Sequence, residues 1–388
     1  MNTPKRLSIV CTVIVGAVSC QNDTANAVEE MRLRNYSFSQ VANTNEYTQV
    51  INSPAIADNG AVAYRTYHQD GSTAVFYWSD GVTKKLIGSD FTYADGRFDF
   101  ISGAIGISNS GVVAFATGYI SPRDDAVEGI YTINPNGDLK GVFINDPSKP
   151  FYSHGMDIND SGEVAFLKSA TSYQDLYLAA ADGPTRIFPS GQYRGRPSVP
   201  EINSGGLVAF AGNYYAFGYI LTYFNGELLE IDSAHGTTYY QMSAPGLNDL
   251  GEIAYVRQEG PNEYALVLYK DGIPQVLPVA DAAIGNVEIN NSGVIVFQGS
   301  NPEGRFGVRK YDRGVIEDVL VFGDSLFGKQ PRSINLYDFN DQGQLALRVK
   351  HTDDSVSVIV ATPIPEPTAH QLFVAACVFA LLSGVRKR

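Results

Sequence analysis

Three cysteines stand in 388 residues, and none falls between Cys20 and Cys377. The long middle of the chain can therefore hold neither a disulfide framework nor a thiolate metal site. Histidine is almost as scarce. His68, His154, His235, His351 and His370 include no i, i+4 pair and no His-x-His pair. Those spacings set two imidazoles on one side of a helix or strand, so no metal and no cofactor is expected. Positive charge is also in deficit, with 28 Lys and Arg against 41 Asp and Glu. Nucleic acid is excluded as a partner on that ground, because binding it rests on neutralising phosphates. Glycine (38), tyrosine (23) and phenylalanine (20) are plentiful instead. Set in short apolar runs, they predict strands joined by tight turns, and 44% hydrophobic against 18% charged residues is the balance of a folded all-β body.

The two ends differ from the middle. Lys5 and Arg6 precede an apolar run from Leu7 to Ser19, too short to span a membrane as a mature helix, and Ala25-Asn26-Ala27 offers a small-x-small cleavage site. Residues 1–27 are read as a signal peptide cut by signal peptidase after Ala27. Lipoprotein processing at Cys20 is the weaker alternative, since Ala17 stands where a lipobox has leucine. At the other end, Pro365-Glu366-Pro367 is followed by an apolar stretch from Leu372 to Val385 and then by Arg386-Lys387-Arg388. The apolar stretch is expected to form a transmembrane helix, and the basic cluster to act as a stop-transfer signal that stays cytoplasmic. Without both ends, 23 basic residues face 39 acidic ones, a net charge of −16.

Residues 364–388 resemble the PEP-CTERM sorting signal. The resemblance implies recognition by an exosortase in a Gram-negative bacterium that makes exopolysaccharide. It implies export through the inner membrane, retention there by the C-terminal helix, and then delivery to the cell surface or extracellular matrix. A plain C-terminal tail anchor is the alternative.

Between the ends, residues 28–363 repeat one pattern, clearest in Ile158-Asn159-Asp160-Ser161-Gly162-Glu163-Val164-Ala165-Phe166. Its glycine recurs at Gly60, Gly111, Gly162, Gly206, Gly251, Gly293 and Gly343, at spacings of 51, 51, 44, 45, 42 and 50. Asn159, Asn203, Asn248, Asn290 and Asn340 share one aligned position, which Ala57 and Ser108 hold in the first two units, with Asn59 and Asn109 nearby. Asn, Asp and Ser before a glycine predict a β-hairpin turn. The glycine is followed by three consecutive apolar residues, such as Val113-Ala114-Phe115 and Val208-Ala209-Phe210. Neighbouring side chains of a strand point to opposite faces, so an unbroken run predicts burial on both. The alanine lets one adjacent layer approach, and the aromatic fills the space on the other side.

A second hairpin follows in most units, marked by Asp80-Gly81, Asn136-Gly137, Asp182-Gly183, Asn225-Gly226 or Asp271-Gly272, and more weakly by Asp312-Arg313-Gly314. Two hairpins make four strands in about 45 residues, the size of one propeller blade. Seven units predict a seven-bladed β-propeller. The last unit runs from Val356–Ala361 into Pro363 with no second turn, whereas a strand-like run lies within 32–41, ahead of the first unit. The N-terminal run is expected to supply the missing strand and close the ring. A linear β-solenoid is the alternative architecture. The units resemble the tandem NxxGxxAF repeats of exported bacterial surface proteins, a resemblance that bears on fold and location and implies no chemistry.

Several motifs suggest chemistry and are outweighed by plainer readings. Gly323-Asp324-Ser325-Leu326 spells the nucleophile motif of GDSL esterases, with His351 downstream. Here, however, it sits late in the repeats, and His351 has no aspartate at the expected preceding spacing. Asp160, Asp249 and Asp341 recur in the repeat turns of an acidic chain, but without a Ca²⁺-binding spacing they predict turn capping. Asp124-Asp125 and Asp353-Asp354 read as solvated loop charges, and Tyr214-Tyr215 and Tyr239-Tyr240 as core or cross-strand aromatics or sugar-stacking rings. Acids on different blades can meet at a propeller's central mouth, which spacing alone does not reveal. No catalytic residue is assigned. The expected function is a non-enzymatic surface propeller that binds or scaffolds an extracellular polysaccharide or surface protein. An extracellular polysaccharide hydrolase or lyase with a site at the propeller mouth is the alternative.

Overall fold

The computed structural model describes residues 30–365, apart from 44–48, 51–52, 90, 94–95, 99, 119–127, 146–152, 154, 170–173, 190–195, 215–216, 236–241, 261–262 and 280–283. The signal peptide, Glu366, Pro367, the apolar tail, His370 and the basic cluster Arg386-Lys387-Arg388 lie outside the described residues. Pro365 is described and exposed. No helix among the described residues is long and apolar enough to cross a membrane.

Seven antiparallel sheets form the seven blades of a β-propeller. Blade 3 is representative: the inner strand Met156–Ile158 turns into Val164–Ser169, which pairs with Gln174–Ala180 and then with the outer strand Gly183–Phe188. The inner strand is split in blades 1 and 4, where two short segments pair with one neighbour. The three-residue apolar runs occupy the second strand of every blade. Val62-Ala63-Tyr64, Val113-Ala114-Phe115, Val164-Ala165-Phe166 and Val208-Ala209-Phe210 are all 0% exposed.

The alternation of those runs builds the core. Val113 and Phe115 pack with Ala55, Ala63 and Val75 of blade 1. Ala114, pointing the other way, packs with Met156, Val164 and Phe166 of blade 3. The aromatic reaches back and the alanine admits the next sheet, as the pattern predicts. Seven such clusters occur, one in each interface between neighbouring blades. The seventh joins Val358 and Val360 of blade 7 to Val62 and Tyr64 of blade 1, which makes the array a ring and rules out a solenoid. Removing one of these rings, as in Phe166→Ala, should cost about 3–5 kcal/mol.

Closure comes from the N-terminus, with one strand more than expected. Tyr36–Asn43 pairs antiparallel with Val356–Pro363 in the vacant outer position of blade 7, and Glu30–Leu33 folds back as a fifth strand. The turn between them places Arg34 at φ 54°, and its guanidinium forks onto Asp324 at 2.7 and 2.9 Å.

The repeat glycines all sit at positive φ, between 73° and 82°. In blade 3 the Gly162 N–H donates to Asn159 O, and the Asn159 N–H donates to Glu163 O, closing a turn that only a residue tolerant of that φ completes without strain. The second hairpins divide into two kinds. Asp80-Gly81, Asn225-Gly226, Asp271-Gly272 and Arg313-Gly314 have two consecutive positive φ values, the geometry of two-residue hairpins. In Asn136-Gly137 and Asp182-Gly183 only the glycine does.

Candidate functional site

The seven inner strands surround a central channel with two mouths. Each strand ends in the sequence x-Ile-Asn or its variant. The isoleucine position enters an interface between blades, so the residue before it faces the channel. That position holds Ala55, Gly106, Asp157, Glu201, Gly246, Glu288 and Asp338 in blade order. Glycine is required in blade 5, because a Cβ on Gly246 would come 2.6 Å from the Glu288 Cα.

Four carboxylates therefore gather in the channel, and the protein binds two of them between blades. Asp157 accepts the Ile158 N–H at 2.8 Å and the blade 4 Ile202 N–H at 2.9 Å. Asp338 accepts the Phe339 N–H and, across the closing interface, the blade 1 Ile56 N–H, both at 2.7 Å. Glu201 shares a hydrogen bond with Asp157, and Glu288 adds its charge opposite. Burial pushes all four carboxyls up, Asp157 to about 6 and Asp338 to about 7; the charge of neighbouring acids adds to it for Glu201, Glu288 and Asp338, whereas hydrogen bonds from Ile202, Ile158 and Glu201 hold Asp157 back. All four residues are half-buried and border the cavity of about 180 Å³ at one end of the channel.

The turn mouth, a cavity of about 130 Å³, is lined by the repeat turns. Two ladders of hydrogen bonds lace these turns from blade to blade. In the first, a side-chain amide donates to the next blade's carbonyl: Asn159 to Asn203, Asn203 to Asn248, Asn248 to Asn290, Asn290 to Asn340, and Asn340 to Ala57. In the second, a backbone N–H donates to the next blade's side-chain oxygen: Asp58 to Asn109, Asn109 to Asp160, Ser204 to Asp249, Asp249 to Asn291, Asn291 to Asp341, and Asp341 to Asp58. Among the described residues the first ladder lacks the steps where Ala57 and Ser108 replace asparagine, and the second lacks the step onto Ser204. Every interface is still bridged by at least one. The structure thus sets Asn159, Asn203, Asn248, Asn290 and Asn340 around one mouth, and the side chains of Asp160, Asp249 and Asp341, expected to cap their own turns, instead accept a backbone N–H from the preceding blade. No group of three His, Cys, Asp or Glu residues among those described is placed to hold a metal ion.

The opposite mouth is a cavity of about 180 Å³. Its wall includes Pro54, Ile105, Met156 and Val199, and its floor holds all four channel acids, with Tyr337 and Asn286 beside them. Here the chain passes between second and third strands and from blade to blade. The connection between second and third strands varies from two residues (261–262) to ten (119–128), whereas every turn at the first mouth has five.

The esterase-like motif does not form a catalytic group. Asp324 is buried and paired with Arg34, and it also caps the Val321 N–H at 2.8 Å. Ser325 is exposed. His351 is 1% exposed and bonded through Nε2 to the Ser357 hydroxyl at 3.1 Å. His68 lies against the Thr66 hydroxyl. Asp353 pairs with Lys329, and Asp354 with Arg332 and Lys350. His154, Asp124-Asp125, Tyr215 and Tyr239-Tyr240 lie outside the described residues, as do the side chains of Tyr214 and His235. The channel acids were not singled out from the sequence. Their signal was a non-repeating residue in a repeated position, two places before the aligned asparagine.

No protein-family model matches the sequence, and no curated protein matches it either. Solved structures are similar in fold. The β-propeller domain of the Trilobed protease from Pyrococcus furiosus is 10% identical, with a TM-score of 0.53 over 82% of this chain and 95% of that one. The polysaccharide lyase Uly1 is 9% identical, with a TM-score of 0.51 over 81% and 90%. One of two prolyl endopeptidases is 13% identical, with a TM-score of 0.53, and this chain spans about half of its length (82% of this chain, 50% of that one). At such identities the likeness is one of fold alone.

Proposed function

We propose that this chain is an exported, surface-sorted propeller that binds or scaffolds an extracellular partner without chemistry of its own, the partner being an exopolysaccharide. One observation carries the reading: the uniform turn mouth links its polar groups from blade to blade, whereas the opposite mouth holds a cavity of mixed apolar and acidic lining on the face where the connections vary in length. Variable segments on a rigid ring make a recognition surface. The acid floor and the negative body repel polyanions, which favours a neutral or amine-bearing polymer. The strand Val356–Pro363 runs toward the turn face, where Pro363 meets Gly343. A sorting tail beyond Pro365 would leave from that face and turn the variable mouth away from the membrane.

The test is co-sedimentation of the full chain with neutral, aminated and acidic polysaccharides, with assays for new reducing ends and unsaturated products alongside. Binding without new ends supports the proposal. Turnover that disappears in Glu201→Gln would replace it with the second reading, a polysaccharide hydrolase or lyase, for which the Asp157–Glu201 pair is the supporting observation. Replacing Pro365-Glu366-Pro367 with alanines should hold the protein in the inner membrane, and unchanged surface delivery would remove the exosortase from the account.

A further inference from the structure

The histidine that the esterase-like motif left without a role lies against the strand that closes the ring. Tyr36–Asn43 pairs with Val356–Pro363, but the register slips between Gln40 and Ala42, so Val41 has no partner across the ladder. Beyond this bulge only Ala42↔Val358 and Asn43↔Ser357 continue the pairing. A side-chain relay spans the weak point. Gln40 Nε2 donates to the Ser357 hydroxyl at 2.8 Å, and that hydroxyl meets His351 Nε2 at 3.1 Å. Ser357 is 2% exposed and His351 1%, and the imidazole's Nδ1 is buried with no hydrogen-bond partner.

We propose that Gln40, Ser357 and His351 form an acid-sensitive latch, in which protonation of the imidazole loosens the strand that closes the ring. The chemistry follows from the donor count. The Ser357 hydroxyl has one proton and already accepts from Gln40, so with a neutral histidine it can donate to Nε2 and complete the relay. An imidazolium has two N–H donors and no acceptor. Its Nε2–H can only donate, so the serine oxygen must accept from it as well as from Gln40, the serine's own buried proton loses the acceptor it had, and the positive charge falls on a buried ring whose Nδ1–H, unmet already in the neutral tautomer, offers no relief.

The charged groups around the imidazole do not relieve this. Lys329 opposes protonation, and Asp353 favours it from an exposed position already occupied by Lys329 and Ser355. Asp354 is engaged by Arg332 and Lys350. Burial, with Lys329 second, holds the imidazole below its ordinary value. A depressed folded-state pKa means that the unfolded chain takes up the proton first. The latch is intact above the ordinary histidine range and weakens as pH falls through and below it.

Hydrogen exchange on the full chain tests the latch at about pH 7.5 and about pH 5, with intrinsic rates corrected for pH. The peptide covering 36–43 is expected to lose roughly tenfold in protection on acidification, while the outer strand Val315–Val321 of blade 6 does not. His351→Gln should abolish that difference. If that variant fails to fold, the imidazole titration of the wild-type chain, followed by NMR, should share its midpoint with the loss of protection. Equal behaviour of the two strands, the same loss in His351→Gln, or a mismatched midpoint would each overturn the latch.

Discussion

The two mouths of the ring are made by the same seven units under opposite rules. At the turn mouth every connection has five residues; the aligned asparagine recurs because its side chain both caps its own turn and bonds the next blade, and the residue after it recurs as a polar one because its side chain takes the backbone N–H of the blade before. At the other mouth the connections run from two to ten residues, and the walls belong to individual blades rather than to the repeat. Repetition is enforced where polar groups must be satisfied in a circle, and departure is tolerated where water can satisfy them.

Three changes to the chain probe the two mouths separately and together. Deleting residues 30–43 removes the strands that complete blade 7 and exposes the edge of Val356–Pro363, so both mouths should be lost together. Circular dichroism and gel filtration should then report an unfolded or aggregated chain. A folded monomer melting as wild type would contradict closure.

Asn248→Ala acts on the turn mouth alone. It removes the acceptor for the Leu250 and Glu252 N–H groups and the donor to Asn290 O. Urea unfolding should show a loss of about 2–4 kcal/mol. Ser204→Ala, at the step without a side-chain link onto it, should cost no more than about 0.5 kcal/mol. Equal costs would mean that the ladders do not lock the ring.

The third change lies between the mouths. Asp157, Glu201, Glu288 and Asp338 have folded-state pKa values raised by burial above those of the unfolded chain. The folded protein therefore binds their protons more tightly, and the contribution to stability is full below about pH 4 and lost as pH rises through about 6 to 7. Glu288→Gln should flatten that decline and raise stability near neutrality by on the order of 1 kcal/mol, with little effect in acid. An unchanged pH profile would mean that the four groups do not interact. This dependence is opposite in sign to that of the His351 latch, so the strand-resolved exchange experiment separates the two.

Much of the ring was legible in the sequence. Runs such as Val113-Ala114-Phe115 specify burial on both faces, and the glycine spacing counts the blades, because strand alternation and turn chemistry act locally. The vacant outer position of blade 7 was legible from the missing turn after Val356–Ala361. That the N-terminus would contribute two strands was not, since the turn at Arg34-Asn35 lacks glycine and depends on the distant Asp324.

The channel acids were illegible for a different reason. Asp157 and Asp338 look like any polar residue at a strand end, and only the closed circle shows that they face each other. The turn aspartates read locally as caps of their own turns, and their actual bonds between blades were not legible, because a partner 42 to 51 residues away, or 283 across the closing interface, has no local signature.

The ring depends on the joining of the two ends of the body, and the cysteine-free middle of the chain allows a direct test. Ser37 and Thr362, partners in the closing ladder and 325 residues apart in sequence, can be replaced by cysteines in a chain carrying Cys11→Ser, Cys20→Ser and Cys377→Ser. Mild oxidation should give a monomer with an intramolecular disulfide, migrating faster on a non-reducing gel and melting above its reduced form. Only intermolecular dimers, or no cross-link in the folded protein, would contradict it.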